Sequence, residues 1–170
     1  FLLNKPHLTF TDTEHAMLAN SILLPFSKKI VTPSCFKKDF GKKHLKFNGF
    51  FELCYLHPQY FKPKKSSINN IKLFGKEKYI LLRFVSWNAS HDKGYFGLSL
   101  EEKRYLVKRL KKHVKVFISS EDKLPKDLIE HQIKIKADRL HDVIAYASYV
   151  IGESGTIATE SAILGVPSIL

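Results

Sequence analysis

The chain has 170 residues, 44% hydrophobic and 26% charged, with 8 Gly, 7 Pro and 2 Cys. These values lie near the average for a globular protein and exclude collagen, intrinsic disorder and a disulfide-stapled mini-protein. The formal charge of +12 comes from 28 Lys and Arg against 16 Asp and Glu, and all but four of the bases are lysine, a bias that disfavours nucleic-acid reading through arginine forks.

Taken in chain order, short β-rich runs alternate with helical ones, the signature of parallel α/β sheets. In the first half, Leu8–Thr11 reads as a strand, Glu14–Ile22 as a helix and Lys29–Thr32 as a second strand. A turn begins at Pro33-Ser34, and Leu45–Phe47 is a further short strand. The stretch from Pro58 to Lys76 mixes proline, lysine, serine and asparagine and reads as a linker. The expected organisation is a domain over 1–60, a linker over 61–75 and a second domain over 76–170.

The second half is more regular. Tyr79–Ser86 is a near-continuous apolar run, as in a strand buried on both faces. Ser99-Leu-Glu-Glu102 has the spacing of a capping box, and the helix it opens carries Leu106, Val107 and Leu110 on one face. Val114–Ser119 reads as a strand, Pro125–His131 as a short helix and Ile133–Lys136 as a short strand. Leu140, Val143, Ile144 and Ala147 recur at helical spacing. Tyr149–Gly152 is a strand, Thr156–Leu164 a helix with Gly165 at its C-terminal cap, and Val166–Leu170 a last strand. A chain stopping in mid-strand reads as a fragment of a longer protein, with both domains incomplete.

No apolar stretch approaches the roughly 20 residues that span a bilayer. Cys35 and Cys54 match no zinc or C-x-x-C spacing and read as reduced thiols in a cytoplasmic protein. Residues 1–75 hold 12 basic and 4 acidic groups, whereas residues 76–170 hold 16 and 12. The excess is densest over Lys28–Lys46 and Lys62–Lys72, which suits a solvated lysine face or an anionic partner: a nucleotide, a phosphorylated head group or a membrane surface.

Three stretches have the residue types for ligand chemistry. In Gly152-Glu153-Ser154-Gly155-Thr156 a strand gives way to a small-residue turn and a helix. A helix N-terminus offers free N–H groups and a partial positive charge to phosphate. Ser154 and Thr156 add hydroxyls, and Glu160, one turn on, is placed to accept from ribose; the same residues also suit an ordinary helix cap. The loop Trp87-Asn88-Ala89-Ser90-His91-Asp92 follows the Tyr79–Ser86 strand, where ligands of open α/β sheets bind. His91 there suits phosphate contact or acid–base work, and Arg83, inside the strand, suits a buried acid or the site. At Thr11-Asp12-Thr13-Glu14-His15 another strand leads into a helix, with Asp12 and Glu14 available for acid–base or substrate contact. His141-Asp142, at a helix start, is placed to touch a base or sugar. The remaining histidines have no partner at useful spacing, and no metal cluster is expected. The chain has no G-x-x-x-x-G-K loop, G-x-S-x-G elbow, H-E-x-x-H or G-x-G-x-x-G, which argues against P-loop NTPases, α/β-hydrolases, zincins and dinucleotide dehydrogenases.

The run ESGTIATESAILGVPSIL resembles the nucleotide-binding motif of UDP-N-acetylglucosamine 2-epimerases, D-S-G-G-I-Q-E-E-A followed by L-G-x-P. Glu153 stands for the Asp, Ser154 and Gly155 match, Thr156 replaces the second Gly, and Glu160 matches the second Glu. Leu164-Gly165-Val166-Pro167 matches the ending. The epimerase run H-R-R-E-N is replaced here by WNASHDKG, with only His91, and H-x-E-A-G-L-R survives as Glu14 alone. The whole chain also resembles a GT-B-like family of archaea and bacteria classed as a domain of unknown function, through FTDTEHA, VTPSCF, the G-x-x-E-x-x-Y-L-H-P run at Gly49–Pro58, LLRFVSWNASHD and GESGT.

These resemblances imply an α/β, GT-B-like chain of two Rossmann-like parallel-sheet domains, with a nucleotide sugar, UDP-linked, as substrate in the cleft and no further cofactor or metal. Ser154, Gly155 and Thr156 would hold the diphosphate, Glu160 the ribose, and His141 would lie near the base. Glu14 or Asp12 would act as base or acceptor contact, assisted by His91. The implied activity is glycosyl transfer in glycan or cell-surface polysaccharide synthesis, with an acceptor and a peripheral membrane contact as partners and no nucleic acid. A sugar-nucleotide epimerase or hydrolase and a non-catalytic nucleotide-sugar-binding protein are the alternatives.

Overall fold

A computed structural model describes residues 5–69, 78–87 and 96–170. It divides into two compact units, Phe1–Cys54 and Tyr55–Leu170. The division lies ahead of the stretch read as a linker, whose residues 61–69 belong to the second unit.

The first unit carries a three-stranded parallel sheet in the order β1 (Leu8–Phe10), β2 (Lys29–Pro33), β3 (His44–Phe47). Ile30 and Thr32, alternate residues of β2, are among its most buried. Thr32 donates to or accepts from Nε2 of His44 at 2.8 Å, and Nδ1 of the same ring meets Asp39 at 3.2 Å. The connecting helix α1 spans Met17–Leu23 and runs on into a 3₁₀ turn, Leu24–Phe26. It starts later than the sequence spacing predicts. Residue 16 is Ala and caps nothing, while the Glu14 carboxylate, counted at the helix start, accepts the N–H of Lys37 and that of Lys38 instead. Cys35 and Cys54 are free thiols.

The second unit is built on a four-stranded parallel sheet, ordered β5-β4-β6-β7, from β4 (Tyr79–Phe84), β5 (Lys115–Ser120), β6 (Tyr149–Gly152) and β7 (Ser168–Ile169). A short helix, α2 (Leu53–Leu56), contains the division between the units. The period of two along β4 and β5 sorts side chains to opposite faces. Leu82, Phe84, Val116 and Ile118 pack on one face with Val107 of α3 (Leu100–Leu110). Tyr79, Leu81, Phe117 and Val150 pack on the other with Val143 and Ile144 of α4 (Leu140–Ala145) and Ile157 of α5 (Gly155–Ile163). Each fully buried Leu, Ile or Val here contributes roughly 1.5–3 kcal/mol. The buried Tyr79 hydroxyl donates to the Val143 carbonyl at 2.5 Å, tying β4 to α4, and burial pushes its pKa up.

The capping box at the start of α3 is complete. The Ser99 hydroxyl accepts from the Glu102 N–H at 3.3 Å, and the Glu102 carboxylate accepts from the Ser99 N–H at 2.7 Å. The Ser99 hydroxyl and N–H hold the Glu102 carboxyl below its ordinary range. A carboxyl lowered on folding adds stability above its unfolded pKa, and that stability is lost as the pH falls through the folded value. Ser99→Ala is therefore expected to cost about 1 kcal/mol in denaturant unfolding at neutral pH, with a smaller difference from the unsubstituted protein in acid.

Two elements differ from the sequence reading. Ile133–Lys136 forms no strand: Gln132, just ahead of it, makes one bridge to Ile118 of β5, the Ile133 N–H donates to the Ile118 carbonyl at 2.9 Å, and no ladder follows. Its I-K-I-K alternation satisfies inward isoleucines, which pack on the core, without a ladder. Pro125–His131 is a turn that ends in a 3₁₀ segment, Ile129–His131, rather than an α-helix.

Candidate functional site

Strand order locates the site. From β4 the chain crosses through α3 to β5 on one side, then returns through α4 to β6 on the other side of β4. In doubly wound sheets, crossovers on opposite faces put the ligand crevice at such a point, here the carboxyl ends of β4 and β6. Residues 85–87 and 153–156 lie there, and Trp87 is held at φ 53°, a left-handed conformation strained for a bulky residue.

Close packing brings the two strand ends together. Arg83 pairs in register with Gly152, and a Cβ on Gly152 would stand 2.3 Å from the Arg83 carbonyl oxygen. That carbonyl accepts the Glu153 N–H at 3.0 Å. The Glu153 side chain, 5% exposed, then spans the crevice floor. Its carboxylate accepts from the Val85 N–H at 3.0 Å and the Leu98 N–H at 2.6 Å, and Lys103 Nζ lies 3.4 Å away. Glu153 thus clasps the segment after β4 to the segment before α3. Arg83 turns outward to Ser119 at 2.9 Å and Glu121 at 2.5 Å, which joins the ends of β4 and β5.

Beyond the clasp, α5 begins. Ser154 is its N-cap, accepting from the Ile157 N–H at 3.3 Å. Gly155 and Thr156 are exposed, and the N–H groups of a helix's first positions have no intrahelical acceptor. A Cβ on Gly155 would meet nothing within 4 Å. Among the described residues, therefore, nothing covers this helix end, where the backbone dipole favours an anion.

One turn further, on the face of Thr156, Glu160 is 5% exposed. Its Oε1 accepts from the Tyr55 hydroxyl at 2.9 Å and lies 2.9 Å from His141 Nε2. A carboxylate oxygen only accepts, so the contact selects the His141 tautomer protonated on Nε2. Oε2 is buried and has no partner among the described residues. The His141 ring lies against Tyr55, centroids 5.5 Å apart, and edge-on to Phe61 at 6.0 Å. The 55–69 segment that supplies these rings is anchored along its length. Lys64 N–H donates to the buried Asp142 at 2.8 Å, Tyr146 donates to the Pro63 carbonyl at 3.1 Å, and Ile68 enters the core.

The structure thus brings together Ser154, Gly155, Thr156, Glu160 and His141 around α5. Asp12 and Glu14 belong to the first unit. The Asp12 carboxylate accepts from the Thr13 hydroxyl at 3.0 Å, and Glu14 holds the Lys37 and Lys38 N–H groups. His91 lies outside the described residues. Sequence reasoning missed Tyr55 and Phe61 as partners of His141, and it took Glu153 as a motif match rather than a clasp. Tyr55 stood in the Gly49–Pro58 run without a role assigned. Among the described residues no group of three or more His, Cys, Asp or Glu is placed to hold a metal ion, and no helix is long and apolar enough to cross a membrane.

A family described as a protein of unknown function (DUF354) matches residues 1–170. An uncharacterized protein of Methanocaldococcus jannaschii is 24% identical over 180 residues, covering 99% of this chain and 52% of that protein. The chain thus spans about half the length of this curated relative. Among solved structures, the β-Kdo 2,7-transferase KpsC of Thermosulfurimonas dismutans is similar with a TM-score of 0.44 and 12% identity, over 96% of this chain and 78% of that one.

Proposed function

The chain belongs to the family of proteins of unknown function DUF354, and from that premise we propose that it takes part in nucleotide-sugar-dependent glycosyl transfer of the GT-B type, in glycan or cell-surface polysaccharide synthesis. One observation carries the reading: a buried carboxylate, with one oxygen held by His141 and Tyr55 and the other unpartnered among the described residues, lies one turn beneath an open helix N-terminus. An unpaired buried acceptor costs about 1–3 kcal/mol, and a sugar hydroxyl would remove that cost.

The chemistry follows from the parts. Diphosphate oxygens accept from the Gly155 and Thr156 N–H groups, with the Thr156 hydroxyl beside them. As the glycosidic bond breaks, charge grows on the leaving diphosphate, and donors already fixed in place stabilise it without reorganisation. Glu160 Oε2 accepts from a ribose hydroxyl, while Tyr55 and His141 fix its orientation and His141 faces the base.

The test is thermal unfolding of the full-length protein with UDP, other nucleoside diphosphates and a panel of nucleotide sugars, followed by assay of nucleotide release. A ligand at about 100 times its Kd stabilises by roughly 2.7 kcal/mol, a shift of several degrees. The expected result is a shift with UDP and its sugars, and release of UDP only when an acceptor is added. An altered sugar, or UDP released without acceptor, would favour the epimerase or hydrolase. Binding without turnover would favour a binding protein, and a flat response across the panel would refute the site.

A further inference from the structure

The second unit holds a recess of about 530 Å³, lined by Lys64, Ser66, Ser67, Lys134, Ile135, Lys136, Asp138 and Arg139. Its volume lies in the range of small-molecule sites, and its walls carry four cations against one acid. That acid is already answered: Asp138 Oδ2 lies 3.3 Å from Arg139 Nε. Arg139 is further occupied, with Nη1 3.8 Å from the buried Asp142. The uncompensated charge is therefore that of Lys64, Lys134 and Lys136, which form no ion pair among the described residues.

The convergence of these lysines is built into the chain. Ile133 and Ile135 pack against the core, so the alternation along 133–136 places Lys134 and Lys136 together on the side away from it. Lys64 comes from a separate segment, fixed by its own N–H to Asp142 at 2.8 Å and by the 3₁₀ turn Lys65–Ile68, whose Ile68 is buried. Two independently anchored segments thus hold three like charges around one concavity. All three lysines are exposed, and the anchored backbone on either side keeps their stems at one concavity. The Ser66 and Ser67 side chains add hydroxyl donors that engage no acceptor among the described residues.

We infer that this recess binds a ligand carrying two or more phosphate groups, apart from the nucleotide assigned to α5. Ammonium groups on flexible stems act as point-charge donors to phosphate oxygens, and three of them match a ligand of several negative charges. A soluble polyphosphorylated metabolite and a phosphorylated lipid head group offer the same chemistry.

The experiment titrates the full-length protein with tripolyphosphate at low and physiological salt, and sediments it with phosphatidylcholine vesicles with and without a phosphoinositide. The variants are K64A/K134A/K136A, the charge-matched control K108A/K111A/K112A on exposed positions of α3 and the turn after it, and Gly155→Val, which covers the helix end. The expected result is salt-sensitive binding, weakened roughly tenfold or more in the recess variant and less than about twofold in the α3 control, and still present in Gly155→Val. Sedimentation with phosphoinositide vesicles, lost in the recess variant, assigns the lipid source; tripolyphosphate binding without sedimentation assigns the soluble one. Equal loss in the α3 control would reduce the effect to net charge. Loss in Gly155→Val with retention in the recess variant would place the anion at α5. Either outcome, or no binding to tripolyphosphate or vesicles by the unsubstituted protein, overturns the proposal.

Discussion

Glu160→Gln is expected to weaken UDP binding by roughly 10- to 100-fold while leaving the protein folded. The size follows from the loss of a charge-assisted hydrogen bond, about 1.5–3 kcal/mol. The selectivity follows from the two ends of the group. Oε1 already accepts from Tyr55 and lies 2.9 Å from His141, and a glutamine oxygen can keep those contacts. Oε2 is the unpartnered atom, and glutamine puts an NH₂ there, a donor where the ribose hydroxyl needs an acceptor. Calorimetric titration of both proteins, beside a thermal melt of each, separates affinity from folding. A variant that binds UDP as tightly as its parent would remove Glu160 from the nucleotide site.

Gly152→Ala is expected to destabilise the protein strongly, costing about 3 kcal/mol and lowering the unfolding midpoint by roughly 10 °C. The new Cβ would lie 2.3 Å from the Arg83 carbonyl oxygen and 2.8 Å from Arg83 Cβ. Backbone and a β-carbon cannot swing aside as a side-chain tip can, so β4 and β6 must separate at their carboxyl ends. The same carbonyl accepts the Glu153 N–H, so the displacement loosens the Glu153 clasp on Val85 and Leu98 and shifts the start of α5. Nucleotide binding should fall with stability. An unchanged melting midpoint would show that the strand ends tolerate the separation.

Local signals in the sequence located several elements well. The apolar run from Tyr79 marks β4, the S-L-E-E spacing marks the start of α3 with both halves of its capping box formed, and Gly165 follows the end of α5 at φ +76°. These depend on residues within one or two turns of each other. The Ile133–Lys136 segment shows the limit of such reasoning. Its alternation is a strand pattern, yet strand pairing needs a neighbour in register, and β5 supplies one bridge only. The Glu160 site divides in the same way. Glu160 and the α5 N-terminus are legible from a strand–turn–helix pattern, whereas Tyr55 meets Glu160 across 105 residues of chain. Glu153 was visible as a motif residue, but its partners Val85 and Leu98 lie 68 and 55 residues away. No spacing rule reaches them. Composition says little about how residues 61–69 are held: Pro, Lys, Ser and Asn look unstructured, but Ile68 and the Lys64 N–H to Asp142 anchor these residues to the core.

The central claim is that the start of α5 holds a diphosphate. Phosphorus NMR of UDP in the presence of the full-length protein tests it at the phosphates themselves. The account predicts that both phosphate resonances shift and broaden with added protein, and that Glu160→Gln requires much higher concentration for the same change. Two sharp, unshifted resonances alongside folded protein would contradict it.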